Sequence, residues 1–142
     1  MTIKNKRATF DYFVEESYEC GIVLTGTEIK SIRNGSVSLV DTYARVKNGE
    51  VYVINMYIAK YDEGNRFNHD ERRERKLLLH KNEIKKIFNK VKLEGYSLIP
   101  LEMYFKGNNV KISLGLCKGK KLHDKRETIK ERDLSRMNKN NY

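Results

Sequence analysis

Residues 81–117 read KNEIKKIFNKVKLEGYSLIPLEMYFKGNNVKISLGLC, and this stretch decides the fold. Ile84, Ile87, Phe88 and Val91 recur at i, i+3, i+4 and i+7, the spacing of one helix face, and Gly95 supplies a stop. Tyr96–Phe105 and Val110–Cys117 follow as two β-rich arms around Lys106-Gly107-Asn108-Asn109, a hairpin pattern. In the second arm Val110, Ile112, Leu114 and Leu116 point one way, while Lys111, Ser113, Gly115 and Cys117 point the other. A helix that leads into a hairpin, without βαβ alternation, favours antiparallel strands.

The sequence upstream agrees. Val37–Val46 and Val51–Ile58 are β-rich runs joined by Lys47-Asn48-Gly49-Glu50. Asn-Gly suits a type I′ turn, which needs positive φ at both central residues. Tyr18–Thr25 reads as a strand that ends at Gly26. Thr27–Arg33 carries Ile29 and Ile32 at helical spacing before Asn34-Gly35, a helix-ending pair. Asp62–Lys76 is charged, reads as a surface loop, and passes into Leu77-Leu78-Leu79. The expected fold is mainly β with short helices: a small antiparallel OB-fold-like barrel, with a small β-sandwich as the alternative.

Composition sets the partner. Lys plus Arg number 29 against 19 Asp plus Glu, a net charge of +10 over 142 residues, which favours a polyanion, nucleic acid before an acidic membrane. Half of that excess lies in Lys118–Tyr142, whose apolar residues are only Leu122, Ile129, Leu134, Met137 and Tyr142. Such a segment buries too little to offset its ordering entropy. The expected organisation is therefore a nucleic-acid-binding barrel over residues 1–117 and a basic tail over 118–142, disordered when free.

Signals for other classes are weak. His69, His80 and His123 lack metal-ligand spacing with Cys or carboxylates, and no phosphate loop or nucleophile turn occurs. Glu15-Glu16 with Glu19 reads more simply as solvated or paired acids than as a hydrolytic cluster, and a flexible tail cannot hold His123-Asp124 in catalytic geometry. Neither an enzyme activity nor a cofactor is expected. Cys20 and Cys117 lie far apart and suggest free thiols in a reducing cytoplasm. No signal core or membrane-length apolar run is present.

Three basic clusters remain: Lys4-Lys6-Arg7 followed by Phe10, Tyr12 and Phe13; Arg72-Arg73-Arg75-Lys76; and Lys118-Gly119-Lys120-Lys121. With aromatic neighbours they read as phosphate contacts beside stacking platforms. Lys6, Arg7, Arg75 and Lys76 are thus candidate RNA contacts.

The order of these blocks resembles the SsrA-binding protein (SmpB) family. The resemblance is carried by Asn5-Lys6-Arg7-Ala8 with Asp11–Glu16, by Gly21–Leu24, by Gly26–Gly35 and by Arg75–His80. The most specific string is Lys118-Gly119-Lys120-Lys121-Leu122-His123-Asp124-Lys125-Arg126, continuing through Ile129–Asp133. The likeness implies an OB-fold barrel that binds the tRNA-like domain of tmRNA. It also implies a tail that reaches the ribosomal decoding centre and the empty mRNA channel. An elongation factor on the same RNA and a monomeric state are the further expectations. By position, Glu19, Leu78 and Lys111 match family residues important for tmRNA binding. Their plainer readings are a salt-bridged Glu, a core Leu and a surface Lys.

On the same likeness the ribosome-contacting tail residues are Lys118, Gly119, Lys120, Lys121, His123, Asp124, Lys125, Arg126, Ile129, Lys130 and Arg132. The like-charge i,i+4 pairs Arg126/Lys130 and Glu127/Glu131 weaken an isolated helix there, so helix formation from Asp124 onward is expected only against ribosomal RNA. Phe10 stands where members often have His, and Leu134 where many have Trp. The rival reading is a generic OB-fold tRNA- or rRNA-binding protein of ribosome assembly or initiation.

Overall fold

The structure is a computed structural model and describes residues 2–61 and 68–121, together with residues 125, 126 and 129. Between Thr2 and Gly119 the described residues form, in chain order, β1 (Thr2–Lys4), α1 (Ala8–Asp11), β2 (Tyr12–Ile22), α2 (Gly26–Arg33), β3 (Val37–Ser38), β4 (Tyr43–Lys47), β5 (Glu50–Ile54), β6 (Tyr57–Ile58), β7 (Arg75–Leu78), α3 (Lys81–Glu94), β8 (Ser97–Lys106) and β9 (Asn109–Gly119). Strands β8, β4, β5, β7, β2 and β9 are hydrogen-bonded in that order, and β9 pairs back onto β8. All pairings are antiparallel, so the ring is a closed, OB-fold-like barrel. Strand β8 shares its other edge: Leu98 pairs with Ala44 of β4, while Glu102, Met103 and Tyr104 pair with β1.

Two hairpins fix the register. Asn48 and Gly49 both take positive φ, 53° and 76°, as a type I′ turn requires. In the second turn Gly107 takes φ 63°, and Lys106 pairs with Asn109. Helix α3 spans Lys81–Glu94 and stops at Gly95, which adopts φ 72°. Ile84 and Ile87 are buried against the barrel and Val91 packs at the margin, but Phe88 is 42% exposed at the helix edge. The main core joins these residues to Ile32, Val51, Val53, Met56, Ile58, Leu77, Ile112, Leu114 and Leu116, all fully buried.

Several expected boundaries shift. Strand β2 begins at Tyr12, well before Tyr18, because β9 offers it a partner as far as Gly119. The runs Val37–Val46 and Val51–Ile58 each break into two strands, since Asp41 and Asn55 adopt φ 55° and 65°. The Asn55 amide donates to the Asp41 carbonyl at 3.0 Å and ties those two corners together. The polar side expected for β9 holds only in part. Gly115 and Cys117 are buried, and Cys117 packs in a small second cluster with Ala8 and Ile99. Cys20 and Cys117 are unpaired and buried.

The largest departure concerns Asp62–Lys76. Its last residues, Arg75 and Lys76, open strand β7, which inserts between β5 and β2. Within β7 the alternation puts Arg75 and Leu77 inside and Lys76 and Leu78 outside. His69, also expected on a surface loop, is buried between Thr27 Oγ1 and the Ile58 carbonyl oxygen, each 2.9 Å from a ring nitrogen.

Candidate nucleic-acid interface

Antiparallel register places one outward-facing row across five strands. Leu78 of β7 lies opposite Gly21 of β2, Gly21 opposite Lys111 of β9, Lys111 opposite Tyr104 of β8, and Tyr104 opposite Thr2 of β1. The next row on the same face runs Glu19, Ser113, Glu102 and Lys4. The intervening residues Leu77, Cys20, Ile112 and Met103 are buried, which sets the outward phase of both rows. Glu19, Leu78 and Lys111 therefore converge. Together with Gly21, Leu79, His80 and Glu83 they line a shallow open depression of about 360 Å³.

Each side chain of this site has a local cause. Leu78 is 51% exposed and not a core residue, because Leu77 takes the inward position beside it. It lies over Gly21, where a Cβ would come within 3.3 Å of Leu78 Cδ1. Lys111 is half-buried on the strand between Glu19 and Tyr104, so its stem is covered while its row faces outward. Glu19 accepts hydrogen bonds from Tyr104 Oη at 2.6 Å and Lys106 Nζ at 3.0 Å. The Tyr104 bond, then Lys106, holds its carboxyl below the usual carboxylate value. Reciprocally, the carboxylate pushes the Tyr104 phenol up to about 12. Glu19 is thus a fixed anionic acceptor beside a cation and an exposed apolar surface, a combination suited to an RNA 2′-hydroxyl or base edge.

The second basic cluster does not form one patch. Arg75 is fully buried and ion-paired with Glu28, and it donates to the Met56 carbonyl at 2.7 Å. It is corrected from a candidate RNA contact to an internal strut, because the phase of β7 directs it inward. Arg73 also pairs with Glu28, at 2.6 Å, and Arg72 donates to Asn55 Oδ1 at 2.9 Å. Lys76 keeps the outward position two residues from Leu78, with Glu50 at 3.5 Å.

Lys6 and Arg7 precede α1, beyond the other end of β2, whose first residue Tyr12 lies about 23 Å from Glu19 along the extended strand. Both are exposed, and Arg7 pairs with Asp11 at 3.2 Å and stacks over Phe10 at 4.6 Å. The root of the tail arrives there. Gly119 pairs with Tyr12, the Lys120 N–H donates to the Asp11 carbonyl at 2.7 Å, and Lys125 Nζ lies 3.3 Å from Asp11 Oδ1. Lys118, Lys120 and Lys125 sit over Tyr96, Phe13 and Phe10 at 4.8, 4.9 and 5.8 Å. Lys121, Arg126 and Ile129 are exposed. The expectations for His123, Asp124, Lys130, Arg132 and Leu134 fall outside the described residues.

Tyr104 and Lys106 were not among the sequence candidates. Counting back from the Gly107-Asn108 turn would have placed Tyr104 beside Lys111, since a two-residue loop fixes which residues lie opposite. No described helix is long and apolar enough to cross a membrane. Among the described residues no three His, Cys, Asp or Glu side chains are grouped to hold a metal ion.

A closed small barrel with a cation, an acceptor and an apolar platform on one sheet face is the OB-fold-like class of RNA-binding domain. Comparison with known proteins narrows the class. The model of the SmpB protein family matches residues 2–142. The SsrA-binding protein of Carboxydothermus hydrogenoformans is 54% identical over 133 residues, covering 94% of this chain and 89% of the relative. That of Bacillus cereus (strain ATCC 10987 / NRS 248) is 58% identical over 133 residues, covering 94% and 86%. A solved chain described as "tmRNA-SmpB: a journey to the center of the bacterial ribosome" superposes with a TM-score of 0.72 at 45% identity, covering 90% of this chain and 94% of that one. The chain belongs to the SmpB family.

Proposed function

We propose that this chain binds the tRNA-like domain of tmRNA through the Glu19–Leu78–Lys111 face and brings it to stalled ribosomes for trans-translation. The observation that carries this reading is the convergence of those three residues, distant in sequence, on one depression of the barrel wall. An apolar face beside a cation and a fixed acceptor suits structured RNA with splayed bases, which is read by shape, 2′-hydroxyl and stacking contacts. Membership of the SmpB family and the likeness to a tmRNA-SmpB structure support the same partner.

The basic segment 118–142 is the arm proposed to enter the decoding centre and the vacant mRNA channel. Its entry point is the Gly119–Tyr12 pairing beside Asp11, remote from the tmRNA face. Barrel and arm would then engage the two RNAs independently, with messenger in the channel excluding the arm. The chain acts as a monomer, on an RNA that an elongation factor also carries, in the cytoplasm, and performs no covalent step. Fluorescence anisotropy with labelled tRNA-like domain, titrated against salt and excess elongator tRNA, tests the reading. Binding that survives competition, with a steep salt slope, is expected. Displacement by an equal amount of elongator tRNA would reduce the chain to a generic basic RNA binder.

A further inference from the structure

Glu19 is held in a way that simple salt bridging does not require. It stands on β2, whereas its two partners stand on β8, with β9 between them. The phenol of Tyr104 must therefore reach past Lys111, its register partner, to meet Glu19 Oε2 at 2.6 Å. Lys106 approaches the other oxygen at 3.0 Å, but its side chain is 66% exposed and its hold is correspondingly loose. A carboxylate oxygen can accept more than one hydrogen bond, so Glu19 retains lone pairs toward the depression it lines. Without the phenol, an exposed glutamate would sample several rotamers and its nearest neutralising groups would be flexible lysines.

We propose that Tyr104 is a positioning residue of the RNA face: its hydroxyl fixes the Glu19 carboxylate as an ionised acceptor aimed at a donor group of the bound RNA. The donor is of the 2′-hydroxyl, exocyclic amino or ring imino class, because an ionised carboxylate can only accept. This rests on the tmRNA-face reading above. The charged and titratable groups around Glu19 are Glu102, Tyr104 and Lys106 from β8, Lys111 from β9, and His80 and Glu83 at the start of α3. Of these, Tyr104 is the neutral hydrogen-bond donor to the carboxylate, so its contribution is directional and not merely ionic.

The test uses the full chain with the isolated tRNA-like domain, comparing Tyr104→Phe, Glu19→Gln and the double variant. Tyr104→Phe keeps the ring and removes only the hydroxyl, and far-UV circular dichroism confirms the barrel. We expect Tyr104→Phe to weaken RNA binding about threefold to tenfold. Its Glu19 carboxyl ¹³C titration should move to higher pH, a readout that a packing role would leave unmoved. The double variant should bind no worse than Glu19→Gln, because the hydroxyl acts through that carboxylate. Wild-type affinity in Tyr104→Phe with Glu19 titrating unchanged, or losses that multiply in the double variant, overturns the inference while the RNA face stands. If Glu19→Gln itself binds as wild type, the face assignment falls and takes this inference with it.

Discussion

Arg75 and Glu28 form an ion pair in which neither side chain is exposed to solvent. They lie 47 residues apart in sequence, and the pair joins the first turn of α2 to strand β7. Glu28 also accepts from the Thr25 N–H at 2.8 Å, closing the capping box of α2. One carboxylate thus caps a helix and neutralises a fully buried guanidinium whose other N–H groups donate to the Met56, Asp70 and Glu71 carbonyls.

Glu28→Gln leaves the Arg75 guanidinium charged and buried without its counter-ion and should cost about 3–5 kcal/mol, whereas Arg75→Met should cost less, because Arg73 still pairs with Glu28. Burial alone would raise the Glu28 carboxyl, but hydrogen bonds from Arg73, the Thr25 backbone and Arg75 outweigh it and hold the group below its ordinary 4.5. A depressed folded value means that this stabilisation is present above the unfolded value and fades as pH falls through the folded one. Urea midpoints should hold above pH 4.5 as far as this carboxylate is concerned and decline below it. That part of the decline should be absent in Glu28→Gln.

Leu77 and Leu78 are neighbours with opposite duties. Leu77→Ala empties a fully buried site and should cost about 2–5 kcal/mol of unfolding free energy. Leu78→Ala should stay within about 0.5 kcal/mol of the wild type yet weaken binding to the tRNA-like domain. Chemical denaturation beside anisotropy separates the two effects.

Gly115 and Gly119 make a second such contrast. A Cβ at Gly115 would stand 3.0 Å from Cys117 Sγ and from both δ-carbons of Leu101, so Gly115→Ala should destabilise by about 1–3 kcal/mol. At Gly119 a Cβ meets nothing within 4 Å. Gly119→Ala should therefore melt like the wild type, and any loss of ribosome rescue would report on the arm and not on the barrel.

The thiols should be silent in the folded protein. Burial, the largest cause, pushes Cys20 up to about 12 and Cys117 up to about 11. Since the thiolate is the reacting form, a disulfide reagent near neutral pH should label neither until the chain unfolds. Labelling kinetics across a urea series should then track the unfolded fraction.

Legibility in the sequence followed the range of the cause. Helix α3, its glycine stop and both hairpin turns depend on residues within a few positions of one another, and they were readable. Strand β7 was not, because its phase depends on Arg75 finding Glu28 far upstream; read locally, Arg72–Lys76 is only a charged run. The same gap hid that Leu78 is a surface residue, since three leucines in a row give no phase. The family likeness singled out Glu19, Leu78 and Lys111, but their meeting depends on cross-strand pairing that no short window contains. Tyr104 is legible through the hairpin register, which sets it opposite Lys111, although locally an aromatic on a β arm reads as core.

The barrel closes unevenly. Between β4 and β8 the ladder amounts to the Ala44–Leu98 pair, whereas β9 is paired along nearly its whole length on both sides. Amide protons should record this as a gradient, with the β4 margin exchanging through small openings and central β9 only through global unfolding. The proposed RNA face rests chiefly on β2, β9 and β8, with Leu78 joined to it through the two pairs of the β7–β2 ladder. Opening at the β4 seam would leave the Gly21–Lys111–Tyr104 part of the row in shape, and a binding surface that stays rigid loses little entropy when it docks.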